Sequence, residues 1–340
     1  MTVHGIAYLD LYTQDRASTT DYFAGLGFTP IAESQGDDRS STLLRQGDLR
    51  LAVTSGPAVR DFLDKHGDGV ADIALTCDDV SAAVGRAVAA GAADLGSPYS
   101  APVVSGFGDV RHTLLPVAEG DPGRTPPTGR WMPVAASVPR PPQTVRLLDH
   151  IAVCVEGGRL GEYADFYRDA FAFTHYSAEY VALGGQAMDS VVVRSASENV
   201  TFTLVAPDPG KEAGQLEAFL ERNGGPGVQH LAFLVDDIVS AVRRFREDGG
   251  VEFLSTPDSY YDMLSDRLPD LADRIEDLQD AQVLADSDEW GHLMQLFTKS
   301  PYERNTLFFE LIQRQGSRGF GSANIRALYE AVERDRLAAS

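Results

Sequence analysis

The chain repeats itself. GDGVADIALTCDDVSAAV, from Gly67 to Val84, aligns without a gap on GPGVQHLAFLVDDIVSAV, from Gly225 to Val242. Self-similarity over that distance predicts an architecture built from copies of one supersecondary unit. The openings of the two halves correspond more loosely: GIAYLDLY with a following DYFAGLGF, and LLDHIAVCV with a following DFYRDAFAF. At 340 residues the chain is about twice the usual single-domain size, so the duplication predicts two domains. Eight of the 18 prolines fall between Pro116 and Pro142, where no regular period survives. We read residues 121–143 as a connector between an N-terminal domain, 1–120, and a C-terminal domain, 144–340.

Each copy reads as strand then helix. VQHLAFLV has the length and apolar content of a buried strand. Asp236 and Asp237 can cap the helix that follows, in which Ile238, Val242 and Phe245 recur at i, i+4 and i+7. Further strand-like runs are QAMDSVVVRS, NVTFTLVAP, HLMQLFTK and NTLFFELIQ. A strand, a helix and several strands, repeated four times, predicts curled antiparallel sheets that cup a cavity, with helices outside. Ile325, Leu328 and Val332 give the tail from Ser322 to Leu337 an amphipathic period, which predicts a helix closing that cavity. The charge-rich stretch from Asp266 to Asp280 reads as solvated surface.

Fifty acidic against 29 basic side chains give a net charge of −21, which repels polyanions and argues against nucleic acid as a partner. No apolar run approaches the roughly 18 residues a membrane span requires, and MTVHGIAYLDLY lacks a signal pattern, so a soluble cytoplasmic protein is expected. Cys77 and Cys154 sit in apolar strand-like segments, which fits reduced, buried thiols.

Of seven histidines, His150 and His230 open the paired strands of the second half; the corresponding first-half residues are Tyr8 and Asp72. Alternation places His150 with Ala152 and Cys154 on one face of its strand and His230 with Ala232 on one face of its own, the small neighbours leaving room beside each imidazole. Glu310 is a carboxylate in an otherwise apolar strand, sharing a face with Phe308 and Ile312, so it needs a cation or hydrogen-bond partner. Two imidazoles and one carboxylate from separate strands can occupy one face of an octahedral metal, and iron(II) is the natural assignment. Spacing alone leaves the alternative of structural core histidines open. His66, His112, His175 and His292 lack a partner pattern, and Asp149 should face away from the His150 side.

LLDHIAVCV, GPGVQHLAFLVDDI, YYDMLSDR, MQLFTK and TLFFELIQRQGSRGFGSANIRALYEAVE resemble the catalytic half of the 4-hydroxyphenylpyruvate dioxygenase family, which includes 4-hydroxymandelate-forming relatives. The resemblance implies an α+β vicinal-oxygen-chelate (glyoxalase/dioxygenase-like) fold: four βαβββ modules in two domains, each an open curled β-barrel with outer helices. It implies Fe(II) on His150, His230 and Glu310, with 4-hydroxyphenylpyruvate and O2 as reactants. The first half, with Asp72 opposite His230 in the repeat, is expected to bind no iron and to serve as scaffold or as the surface of a homodimer. Ser190, Thr203, Gln215, Gln229 and Gln295 match the family's polar pocket positions, although alternation points Gln229 away from His230 unless a bulge intervenes. Phe297, Phe308 and Phe320 match its aromatic wall. Where homogentisate-forming members read Leu-Pro-Ile-Asn-Glu-Pro, this chain reads Phe202 to Pro207, with Thr203 for the proline and Val205 for the asparagine. Asn324 and Ile325 likewise resemble the mandelate-forming branch, whose product serves hydroxyphenylglycine and peptide-antibiotic synthesis. The expected reaction is therefore oxidative decarboxylation with benzylic hydroxylation to 4-hydroxymandelate and CO2. The alternatives are homogentisate formation in tyrosine catabolism, or ligand binding without turnover.

Overall fold

The computed structural model describes residues 2–117, 125–134, 143–247 and 249–327. The first half forms β1 (Val3–Tyr12), β2 (Thr29–Gln35), β3 (Ser40–Gln46), β4 (Leu49–Ser55), β5 (Gly69–Cys77), β6 (Val103–Ser105), β7 (Arg111–Pro116) and β8 (Trp131–Pro133). The second forms β9 (Val145–Cys154), β10 (Thr174–Leu183), β11 (Gln186–Arg194), β12 (Thr201–Pro207), β13 (Gly227–Val235), β14 (Leu284–Asp288), β15 (Gly291–Phe297) and β16 (Phe308–Gln315). They make two eight-stranded curled sheets, ordered β6-β7-β5-β1-β4-β3-β2-β8 and β10-β11-β12-β9-β13-β16-β15-β14.

The central pairings are the same in both sheets. β1 runs antiparallel to β5 as β9 does to β13, and the expected antiparallel plan gives way to parallel pairs at β1/β4, β5/β7, β9/β12 and β13/β16. A helical crossover reverses the chain before the hairpin strands, so the last strand of each module returns alongside the first in the same direction. The helices α1 (Arg16–Gly25), α2 (Arg60–His66), α3 (Val80–Ala89), α4 (Leu160–Phe171), α5 (Gln215–Asn223) and α6 (Ile238–Glu247) follow these strands. The repeated aspartates cap as expected: Asp79 accepts from the Ala82 N–H at 2.9 Å and Asp237 from the Ser240 N–H at 3.2 Å.

The outer faces of the sheets share one core. Phe309 stacks on Phe233 at 5.8 Å and meets Phe23 of α1 at 5.1 Å edge-on, so a first-half helix packs on second-half strands. His112 ties the halves together by accepting from the Tyr167 hydroxyl at 2.9 Å, while its Nδ1 donates to the Ile73 carbonyl at 3.0 Å. Burial lowers its pKa to about 4, so it is neutral there. On β16, Phe309 and Leu311 point into this core, which leaves Phe308, Glu310 and Ile312 for the opposite, cupped face.

Three expectations need adjusting. β8 lies within the proline-rich stretch yet pairs with β2, so that part is sheet; residues 118–124 and 135–142 lie outside the described residues. The Asp266–Asp280 region belongs to a helical insertion, α7 (Asp258–Arg267) and α8 (Ile275–Ala281) with a 3-10 turn between them, and Leu271 and Leu278 are buried beneath its charges. The tail is helical over 322–327 with Ala327 in the core, whereas Leu328 and Val332 lie outside the described residues.

Candidate metal centre

Across the β9/β13 pair, His150 sits opposite Ala232 and His230 opposite Ala152, so each imidazole faces a methyl group and can lean inward. Parallel pairing puts Glu310 beside Ala232 on the third strand. The three side chains therefore converge from β9, β13 and β16, with one donor atom of each lying within 4.8 Å of the others. Glu310 Oε2 is 3.4 Å from His150 Nε2 and 3.2 Å from His230 Nε2. Among the described residues this is the one grouping of such side chains able to hold a metal ion.

The register explains how the histidines are oriented. His150 pairs with Ala232 while Leu148 pairs with Phe233, which leaves Asp149 as the extra residue of a bulge; Gln229 is the extra residue between Val228 and His230. Each bulged residue reaches the ligand next to it. Asp149 Oδ1 accepts from His150 Nδ1 at 2.9 Å, and Gln229 Oε1 accepts from His230 Nδ1 at 3.3 Å. Both Nε2 atoms are thereby directed at Glu310, the tautomer a metal ligand needs. This corrects the expectation that Asp149 faces away: strict alternation fails at a bulge. The same device brings Gln229 to the site.

Burial raises the cost of charge at all three groups, and their contacts decide the outcome. The protonated His150 beside it is the main contact that holds the Glu310 carboxyl at about 2 against that cost. Asp149 and Glu310 carry His150 up to about 9, while burial keeps His230 below its ordinary value. An ionised carboxylate, one neutral imidazole and one proton that a cation can displace form a donor set suited to a divalent metal. Two imidazole nitrogens and one carboxylate fit iron among the borderline metals.

Aromatic rings wall the site. Phe308 stacks on His230 at 5.1 Å, Phe297 stands edge-on to it at 5.9 Å, and Phe320 meets His150 at 5.1 Å. On β12, Thr203 and Val205 pair with Ala152 and Cys154 and so share their face; Ser190 pairs with Val205 and donates to the Glu179 carbonyl at 3.1 Å. Gln295 lies two residues from Phe297 on β15 and is 1% exposed. Gly321 makes its position possible, since a Cβ there would stand 2.0 Å from Gln295 Oε1. Asn324 is fully buried and accepts from the Tyr260 hydroxyl at 2.8 Å, and Ile325 beside it is half-buried. Thr203 Oγ1, Gln295 Oε1 and Asn324 Nδ2 are buried without a hydrogen-bond partner. Gln215 stands apart: it is exposed at the first position of α5, because a helix start lies beyond the end of the strands that line the cup.

Sequence reasoning missed Arg314. It donates from Nε and Nη2 to the two Asp149 oxygens, both at 2.8 Å, and so clamps the carboxylate that orients His150. Its signal was available, since Glu310, Ile312 and Arg314 fall on one face of β16 by alternation.

A cupped sheet carrying two histidines and a glutamate on neighbouring strands defines a metal-site protein of the glyoxalase and dioxygenase class. The model of the Glyoxalase/Bleomycin resistance protein/Dioxygenase superfamily matches residues 147–296, and that of hydroxyphenylpyruvate dioxygenase, N-terminal, matches residues 1–116. The chain is 31% identical to the 4-hydroxyphenylpyruvate dioxygenase of Yarrowia lipolytica, over 93% of this chain and 87% of that one. It is 33% identical to the Neurospora crassa enzyme of the same name, over 81% and 71%. A solved triply substituted variant of 4-hydroxymandelate synthase from Streptomyces coelicolor superposes with a TM-score of 0.88 at 47% identity, covering 99% of this chain and 100% of that one. The chain belongs to the 4-hydroxyphenylpyruvate dioxygenase family and is an enzyme of its non-haem dioxygenase class.

Proposed function

We propose that the chain converts 4-hydroxyphenylpyruvate and O2 to 4-hydroxymandelate and CO2, with Fe(II) held by His150, His230 and Glu310. The carrying observation is the convergence of those three donors in an aromatic cup. Bound iron would supply sites for the 2-oxo acid and the redox chemistry that splits O2. One oxygen atom ends in the carboxylate left after CO2 departs, the other in the benzylic hydroxyl.

The chain's own residues set where the substrate lies. Asp149 and Gln229 hold the imidazoles with Nε2 inward, and Phe297, Phe308 and Phe320 exclude water and confine the aromatic ring. Thr203 Oγ1, Gln295 Oε1 and Asn324 Nδ2 lack protein partners, so the polar ends of the substrate can satisfy them, a strong orienting force for buried polar atoms. Thr203, Val205 and Ile325 shape the wall that presents the benzylic carbon rather than the ring to the oxidant. Resemblance in sequence and structure to the mandelate-forming protein supports that choice. A displacement of about 1 Å is worth roughly a hundredfold in rate, so wall residues suffice to select a product.

The test is to load the chain with Fe(II) without oxygen, add 4-hydroxyphenylpyruvate, admit O2 and separate the products by chromatography. 4-Hydroxymandelate is expected as the main product. Homogentisate as the main product would assign the chain to the other branch, and no oxygen uptake would reject both.

A further inference from the structure

We infer that Arg314 is a positioning residue that couples a surface strap, Gly316 to Gly321, to the metal-donating orientation of His150. The inference rests on the triad reading above. Besides its two bonds to Asp149, Arg314 donates from Nη1 to the Gly319 carbonyl at 2.7 Å and more weakly to Ser317 O at 3.4 Å. Its guanidinium also lies 5.2 Å from the centre of the Phe320 ring, which in turn meets His150 at 5.1 Å. One planar fork therefore holds the carboxylate behind the ligand, the strap backbone and the strap aromatic together. An ammonium group has no such geometry.

The strap has a second anchor on its far side. Asp288 Oδ2 accepts from Ser317 Oγ at 2.8 Å, Arg318 N at 2.7 Å and Gly319 N at 2.8 Å. Apart from a single bridge at Gly316, side chains rather than a strand ladder seat this segment. Such a segment opens locally at lower cost than the sheet. It ends at Gly321, packed on Gln295, and beyond it comes the helical turn bearing Asn324 and Ile325. When the strap is seated, Asp149 is clamped and His150 Nε2 is aimed at the metal position. When it lifts, Arg314 loses its strap partners and the clamp loosens. Coupling of this kind is reciprocal, so metal binding must also hold the strap down.

The experiment uses the full chain with Co(II) alone as the probe, reading its affinity by titration and the rate of tryptic cleavage after Arg318, which is exposed in the strap. In the unsubstituted chain, saturating Co(II) is expected to slow that cleavage about fivefold or more, the lower end of usual coupling. Arg314→Met and Arg314→Lys should weaken Co(II) binding by about 10- to 100-fold and abolish the effect of metal on cleavage. Asp288→Asn, away from the triad, should speed cleavage and weaken Co(II) binding severalfold. If Arg314→Met does not fold, by circular dichroism, Arg314→Lys and Asp288→Asn decide. Wild-type affinity in the folded Arg314 variants, or cleavage at Arg318 indifferent to Co(II), would overturn the coupling while leaving the triad in place. Failure of the unsubstituted chain to bind Co(II) would instead overturn the triad reading, and the coupling with it.

Discussion

The two halves share a sheet plan down to its irregularities, but among the described residues only the second gathers side chains that could hold a metal ion. In the first half Tyr8 pairs with Ala74 as His150 pairs with Ala232, and Asp72 pairs with Asp10 where His230 pairs with Ala152. The bulges recur too: Ala7 and Ala71 are the extra residues where the second half has Asp149 and Gln229. Backbone geometry is therefore not what makes the centre. Side chains at five positions do: two histidines, the acceptor behind each, and a carboxylate on the third strand. In the first half Asp72 instead accepts from the Thr113 backbone and hydroxyl and pairs with Arg111 at 3.5 Å. Burial outweighs those contacts and lifts its carboxyl to about 6, whereas Glu310 is held at about 2 mainly by His150. In the first cup Asp72 is engaged by Thr113 and Arg111, while in the second three donor atoms lie within 4.8 Å of one another.

Substitutions that exchange these features test the comparison. The largest effect is expected from His230→Ala, which should abolish metal binding and oxygen consumption in a chain that still folds, while Asp72→Asn leaves the metal stoichiometry unchanged. Metal titration with oxygen uptake checks both. Next, Thr203→Pro, Val205→Asn and Ile325→Phe together should move the ratio of 4-hydroxymandelate to homogentisate by about a hundredfold, read by product chromatography. Giving the second half the alanines of the first, as Asp149→Ala with Gln229→Ala, should weaken metal binding by about 10- to 100-fold without removing it, measured by titration.

The last effect bears on stability alone and concerns the seam between the halves. His112 has a lowered pKa of about 4 against 6.5 when unfolded, so the folded state binds fewer protons. Its contribution is fully present above about 6.5 and is lost as pH falls through about 4, a total of about 3 kcal/mol at 1.36 kcal/mol per unit. Urea denaturation of His112→Gln should show a shallower fall in stability over that range than the unsubstituted chain.

Much of this was legible in the chain itself. The gapless repeat predicted the matched β5 and β13, and the aspartates predicted their helix caps, because both signals are local and periodic. The candidate metal residues were legible mainly by likeness to the family, since a period of two fixes only the face of its own strand on which each of His150, His230 and Glu310 lies. Asp149 was misread because a bulge breaks that period at one residue, and only the paired strand reveals it. Arg314 went unseen because its role depends on Asp149, 165 residues away in sequence. The strand β10 was missed because it is an edge strand with much of its side-chain surface exposed, so it shows little apolar alternation. The burial of Leu271 and Leu278 was hidden by the charges around them. Gln215 is legible by likeness to the family, yet its exposed place on α5 gives it no buried contact in the cup.

The most direct test is an anomalous-scattering crystal structure of the chain loaded with one equivalent of Fe(II) under anaerobic conditions. The account predicts a single peak bonded to His150 Nε2, His230 Nε2 and Glu310, with none in the first-half cup. A peak bound elsewhere, or iron touching fewer than all three of these side chains, would contradict it.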